Sequence, residues 1–232
     1  MRYKWLLIDA DGTILDFERA QFAALTETFD GIGIEFNLEL LRSYHKESES
    51  LWEELETGTL DLQELSRQRF VRVLRKAAIE TDPIALSQKY LSRLALQGQT
   101  LPGALETCQI LSEKYDLYLA TNGFGEVQRS RMELAGLAGF FKEYLISEEL
   151  GHAKPDPGFF AKGLMGEAEI VHSQVLMVGD SLTSDIQGAN NVGIDCCWIA
   201  PHERELPTGY RIDYRIESIG ELPTLLEASH GD

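Results

Sequence analysis

The sequence predicts an α/β fold: a Rossmann-like, three-layer parallel-sheet core, interrupted after its first strand by an inserted all-helical cap domain. Three observations carry that prediction. A short apolar run ending in Leu6-Leu7-Ile8 stops abruptly at Asp9-Ala10-Asp11-Gly12-Thr13. Roughly residues 17–96 then show helical spacing with no convincing strand. From about Leu101 short apolar runs alternate with helical stretches, the pattern of βα units on a parallel sheet. The expected organisation is a core of residues 1–16 and 97–232 and a cap of residues 17–96.

Leu6 to Ile8 reads as a strand buried on both faces, because its apolar residues run on without alternating. Gly12 marks the turn that follows. In the cap, Ala20, Ala23, Ala24 and Phe29 indicate one helix, and Leu38, Leu41 and Tyr44 a second. Leu51, Trp52 and Leu55 indicate a third, ended by Thr57-Gly58-Thr59. Asp61 and Glu64 have capping-box spacing ahead of the stripe Phe70, Val73, Leu74 and Ala77. Pro83 opens a further helix through Leu91 and Leu94.

The second half reads as helix 104–114, strand 117–120, helix 127–135, strand 144–146, helix 159–164, strand 175–178, helix 183–190 and strand 196–199. The tail from His202 is turn-rich, with an edge strand near Tyr214 and a last helix over 219–227. No internal repeat interrupts this order.

A chain of 232 residues with 44% hydrophobic and 25% charged residues has the composition of a soluble globular protein with a substantial core. Its formal net charge of -17 argues against a DNA- or RNA-binding role, which needs a positive surface, but leaves room for a small phosphorylated substrate in a local positive pocket. The apolar run after Lys4 is too short for a signal peptide, and no stretch approaches transmembrane length, so no membrane partner is expected. Cys108, Cys196 and Cys197 lack metal-site spacing and read as reduced thiols of a cytoplasmic protein. Adjacent Cys196 and Cys197 would point to opposite faces of a strand.

The chemistry-bearing residues gather where these strands end. Asp9 and Asp11 follow the first strand, Thr121 and Asn122 the second, and Asp180 the fourth, with Asp185 one turn on. Lys154 lies in the Pro-bounded turn Lys154-Pro155-Asp156-Pro157, which the connectivity brings to the same edge. Open α/β sheets bind ligands at that edge. Each signal alone is also an ordinary polar turn or a solvated lysine; their joint appearance in this order is the informative fact.

Phosphoryl transfer through a carboxyl phosphate uses such a set. Asp9 can attack phosphorus, and Asp11 can protonate the leaving alkoxide and then deprotonate water. Two close carboxylates stay ionised only beside a cation, and Mg²⁺ suits oxygen ligands, with Asp180 and Asp185 adding anionic oxygen directly or through water. Lys154, the Thr121 hydroxyl and backbone N–H groups near Asn122 supply donors for the phosphoryl oxygens.

These motifs resemble the haloacid dehalogenase superfamily of phosphatases. Asp9-Ala10-Asp11-Gly12-Thr13 is similar to its first motif, Thr121 to the second, Lys154 in Ala-Lys-Pro-Asp-Pro to the third, and Gly179-Asp180 through Asp185 to the fourth. The resemblance implies a Mg²⁺ cofactor held by Asp9, the backbone carbonyl of Asp11 and Asp180, with Asp185 in support, and a helical cap between the first two motifs. The branch it resembles more closely is the bacterial pyrimidine 5′-nucleotidases. Thr121-Asn122-Gly123-Phe124, Ile146-Ser147-Glu148-Glu149, Leu51-Trp52 and Cys197-Trp198 carry that likeness, while Gly12 stands where that branch often has Glu. The implied substrate is a nucleoside monophosphate.

Among cap residues, Trp52, Tyr44, Arg67, Arg69 and Phe70 could meet a base, sugar or phosphate, Trp52 by stacking. Against that, Phe70 reads as core and Arg67 and Arg69 as a solvated helix face. His45, His152 and His172 have no metal-ligand spacing. The competing expectations are a sugar-phosphate or phosphoglycolate-type phosphatase, a phosphomutase, a dehalogenase, which Asp11 argues against, and a non-catalytic phosphate-responsive module. The sequence leaves the oligomeric state open.

Overall fold

The computed structural model describes residues 2–165, 171–201, 203–205 and 208–228. Among them β1 (Trp5–Ile8), β2 (Asp116–Thr121), β3 (Phe141–Ile146), β4 (Val175–Gly179), β5 (Asp195–Ile199) and β6 (Tyr214–Ile216) form one sheet. Its order is β3-β2-β1-β4-β5-β6, every neighbouring pair being parallel. β1 lies centrally, and its register sets Ile8 level with both Leu119 and Val178. The carboxyl ends of β1, β2 and β4 therefore finish side by side.

A strand with a helix layer on each face needs apolar residues at every position, which explains the unbroken run in β1. Leu6 and Ile8 enter one core cluster, and Trp5 and Leu7 the other. Burying each aliphatic side chain contributes ~1.5–3 kcal/mol, so β1 is firmly anchored, and Asp9 with it. Cys197 and Cys196 likewise fall in opposite clusters, as their adjacency predicts.

Between β1 and β2 stands a block of four helices: α1 (Phe17–Asp30), α2 (Leu38–Glu56), α3 (Leu62–Ala77) and α4 (Pro83–Leu94). Each begins at an Asp or Asn whose side chain accepts from a backbone N–H of the first turn: Asp16, Asn37, Asp61 and Asp82. Asp61 caps through the Glu64 N–H, but the Glu64 carboxylate turns to Arg67 and Gln68, so this is one half of a capping box. Phe70, Val73 and Leu74 are buried as their spacing predicts, and the stripe ends before Ala77, which is exposed.

One expectation fails here. The two helices read over Leu38–Tyr44 and Leu51–Leu55 are a single 19-residue helix, α2. Leu40, Tyr44, Glu47, Ser48, Leu51 and Leu55 keep one buried face at helical spacing through the polar middle. There Glu47 pairs with Lys76, and the Ser48 hydroxyl donates to the Tyr44 carbonyl at 2.7 Å.

The remaining helices cover the sheet. They are α5 (Ala104–Ser112), α6 (Gly125–Leu134), α7 (Ser147–Leu150), α8 (Pro157–Gly163), α9 (Gln187–Val192) and α10 (Leu222–Ala228). Cys108 and Leu111 of α5 and Leu226 of α10 pack on one face; Phe159 and Phe160 of α8 and Ala189 of α9 pack on the other. The helix expected over 183–190 is instead a π turn, Leu182–Ile186, running into α9. The turn-rich tail expected from His202 lies partly outside the described residues. Val127 of α6 joins the core of the inserted block, and Phe124 packs against its second cluster, so the block sits over the polar edge of the sheet. Among the described residues no helix is long and apolar enough to cross a membrane.

Candidate active site

The sheet edge brings Asp9, Thr121, Asn122, Lys154 and Asp180 to the floor of one cleft of about 390 Å³. The opposing wall is the inserted block, with Trp52, Leu62, Leu65, Arg69 and Tyr90 facing it. Lys154 is the hub of the floor. Only 1% exposed, its ammonium donates to Asp9 Oδ1 at 2.7 Å, Asp185 Oδ1 at 2.6 Å and the Ala120 carbonyl at 2.5 Å. Burial opposes its charge, but the carboxylates of Asp185 and Asp9 outweigh that and hold its pKa well above the usual lysine range.

Asn122 holds the lysine from behind. Its amide donates to the Lys154 carbonyl and accepts from the Lys154 N–H, both at 2.8 Å, across the loop that contains the cis Lys154–Pro155 bond. This side chain positions Lys154 as well as lining the cleft. Thr121 accepts from Gln128 Nε2 at 2.8 Å, which leaves its hydroxyl proton available for a ligand.

One carboxylate oxygen from each of Asp9, Asp180 and Asp185 lies within 4.8 Å of the other two. Three converging carboxylates offer an all-oxygen donor set of the kind hard divalent cations take. Asp185 is fully buried and also accepts from the Ser181 N–H at 3.1 Å. Gly12 fits where β1 and β4 converge: its φ is +84°, and a Cβ would lie 2.5 Å from Asp180 Oδ2.

The electrostatics of this group favour positive charge beside it. Burial, and then the Asp185 carboxylate, push Asp180 up to about 7. Asp9 stands well above the carboxylate range, chiefly through burial, with Lys154 opposing and Asp185 and Asp180 adding. A carboxyl whose folded pKa is raised stabilises the fold below its unfolded pKa of about 4, and that contribution is lost as pH rises through the folded value. In EDTA, Asp180→Asn is therefore expected to match the parent near pH 4 and to become more stable by a few kcal/mol as pH climbs to about 7. Denaturation midpoints across that window check this; a stability difference that stays constant with pH would contradict it.

The Asp11 side chain lies apart from the three-carboxylate group. It pairs with Arg131 and accepts from Gln128 Nε2 at 2.8 Å. Arg131, fully buried, also donates through Nε to the Gln97 carbonyl at 3.0 Å, where the chain leaves the inserted block. Neither Gln128 nor Arg131 was singled out in the sequence. The signal was present, since both share the helical stripe of α6 with the buried Val127 and Met132. Glu56, at the end of α2, also faces the cleft, and burial raises its carboxyl.

The remaining candidates divide. Trp52 lines the cleft, and Phe70 and Tyr44 are buried within the block rather than lining it. Arg67 is exposed on Glu64. Arg69 is not the solvated residue expected: it is 5% exposed, faces the cleft, and lies on the buried stripe Leu62, Leu65, Arg69, Val73. His45 bonds Gln21 at 2.8 Å and His152 bonds Asp156 at 2.7 Å, while His172 lies on an exposed 3-10 turn.

The model of the haloacid dehalogenase-like hydrolases matches residues 3–193. The chain is 40% identical over 229 residues to pyrimidine 5′-nucleotidase PynA of Streptococcus pneumoniae, covering 98% of this chain and 96% of that protein. It is 32% identical over 226 residues to pyrimidine 5′-nucleotidase YjjG of Escherichia coli, covering 97% and 99%. Among solved structures it is similar to the HAD-hydrolase YfnB of Bacillus subtilis bound to magnesium. That match has 33% identity and a TM-score of 0.91 over 97% of this chain and 99% of that one.

Proposed function

The chain belongs to the haloacid dehalogenase-like hydrolases, and from that premise we propose that it is a Mg²⁺-dependent phosphomonoesterase acting on nucleoside 5′-monophosphates, with pyrimidines preferred. The observation that carries the reading is Lys154 bridging Asp9 and Asp185 beside Asp180, beneath a cleft whose other wall is aromatic and aliphatic. The full-length likeness to two pyrimidine 5′-nucleotidases supports the substrate class. In this reading residues 1–16 and 97–232 are the catalytic core and 17–96 the cap. Three buried free cysteines support a reducing, cytoplasmic setting.

In the proposed reaction Asp9 attacks phosphorus and forms an acyl phosphate as the ester P–O bond breaks. Asp11, released from its pairing with Arg131 and protonated, gives its proton to the leaving alkoxide and then takes one from the attacking water, which releases phosphate and restores Asp9. The Thr121 hydroxyl donates to the phosphoryl oxygens, and Lys154, whose three N–H groups go to Asp9, Asp185 and the Ala120 carbonyl, places its positive charge beside them. The three-carboxylate group fits a divalent cation, since its burial and mutual repulsion call for positive charge. Asp9, the Asp11 carbonyl and Asp180 would hold Mg²⁺, with Asp185 in support. Bound there, the ion supplies charge neutralisation at the phosphoryl group. Trp52 offers a face on which a base can stack.

Phosphate release from a panel of esters, with Mg²⁺ and with EDTA, tests the reading. The panel holds dUMP, UMP, dTMP, purine monophosphates, a hexose phosphate and phosphoglycolate. Mg²⁺-dependent turnover led by the pyrimidine nucleotides is expected. If a sugar phosphate or phosphoglycolate led, the nucleotidase assignment would fall and the phosphatase chemistry would stand.

A further inference from the structure

We propose that Arg69 is the residue that reads the base, donating to its carbonyl edge; the inference rests on the nucleotidase reading above. Arg69 projects from α3 into the cleft wall beside Trp52, with its guanidinium carbon 5.2 Å from the Tyr44 ring centroid and 5.9 Å from that of Trp52. Nη1 donates to the Tyr44 hydroxyl at 2.7 Å, which fixes the plane of the group. Its Nε is buried without a hydrogen-bond partner. Its neighbours on the same helix, Arg67 and Arg72, pair with Glu64 and Glu54, whereas Arg69 has no carboxylate partner among the described residues. The other buried arginine of the cleft, Arg131, also has a buried Nη2 without a partner. Its Nη1 pairs with Asp11 and its Nε with the Gln97 carbonyl, however, so its charge is compensated by a carboxylate and that of Arg69 is not.

A buried cation with an idle donor is unfavourable unless something supplies an acceptor. The surrounding wall selects the kind of acceptor. Trp52, Tyr90, Phe124, Leu62 and Leu65 present a broad apolar surface that a flat ring covers and a short phosphate ester such as phosphoglycolate leaves exposed. The group that meets both demands is a ring with carbonyl oxygens on its edge. Uracil and thymine carry two such oxygens and cytosine one. Guanine also carries one; adenine has none, and beside its ring-nitrogen acceptors its exocyclic amine would set donor against donor.

The test compares kcat/KM of the parent, Arg69→Met and Arg69→Lys on dUMP, AMP, ribose 5-phosphate and phosphoglycolate, all with Mg²⁺. Arg69→Met is expected to lower the dUMP-to-AMP ratio about 30-fold, and to reduce dUMP turnover far more than ribose 5-phosphate turnover. Arg69→Lys keeps the charge in the block and loses the planar fork, so it guards against a folding failure of the first variant; its ratio should fall about 10-fold. Equal losses on all four esters, or an unchanged ratio in Arg69→Lys, would assign Arg69 to packing and overturn the proposal. A loss concentrated on phosphoglycolate would make it an anion reader, with the same consequence. A parent enzyme that handles ribose 5-phosphate better than any nucleotide would remove the nucleotidase premise itself. That outcome is visible without the variants, so the two failures are told apart.

Discussion

Asp9→Asn is expected to lower kcat by at least ~10⁴-fold on every phosphate ester the parent hydrolyses, as removal of a catalytic nucleophile does elsewhere. An amide of the same shape keeps the side chain in its slot at the end of β1 but cannot attack phosphorus at a useful rate. The fold should survive, because burial already disfavours the Asp9 charge. Circular dichroism and denaturation in EDTA separate the two effects. Residual turnover within 10-fold of the parent would remove Asp9 from the chemistry.

Lys154→Met carries the second large effect, and it acts on stability as well as rate. The lysine is the shared cation of Asp9 and Asp185, both of them buried. Removing it leaves two carboxylates facing each other without compensation, a change that typically costs 3–5 kcal/mol, so about that loss is expected at neutral pH in EDTA. Acidification protonates the orphaned carboxylates and should narrow the gap to the parent. Mg²⁺ should narrow it too, by supplying charge to the same group. Turnover should stay at least ~10³-fold down even with Mg²⁺, since the ion does not replace the lysine that holds the Asp9 carboxylate in place. A variant as stable as the parent at neutral pH would show that Lys154 does not hold the floor together.

Much of the candidate site's placement was legible in the sequence for a physical reason. A parallel sheet aligns its strand ends, so polar residues just beyond apolar runs converge without any knowledge of side-chain packing. Asp9, Thr121 and Asp180 follow that rule, and Lys154 follows it through its Pro-bounded loop. The inserted block was harder. Leu38, Leu41 and Tyr44 read as one helix and Leu51, Trp52 and Leu55 as another, yet α2 runs through the polar residues between them on one buried face, where Glu47 meets Lys76 of α3. That contact joins residues 29 apart, and no local propensity reports it.

Arg69 teaches the same point from the other side. Its residue type suggested solvent, while its place on the stripe Leu62, Leu65, Val73 placed it inward. The helical phase was the better guide. Gln128 and Arg131 were overlooked for the same reason, although their spacing with Met132 puts them on the buried side of α6. Polar residues at buried helical phases are where sequence reading and function part most readily, because burial there demands a partner that only the tertiary fold, or a ligand, provides.

The most direct test of the account is whether phosphate passes through Asp9. The enzyme would be mixed with Mg²⁺ and a radiolabelled nucleoside monophosphate, quenched in acid within a single turnover, and digested. The account predicts label on the peptide that contains Asp9, appearing before free phosphate and absent from Asp9→Asn. Phosphate released at full rate with no label on the chain at any time would mean that water attacks the ester directly, and would contradict it.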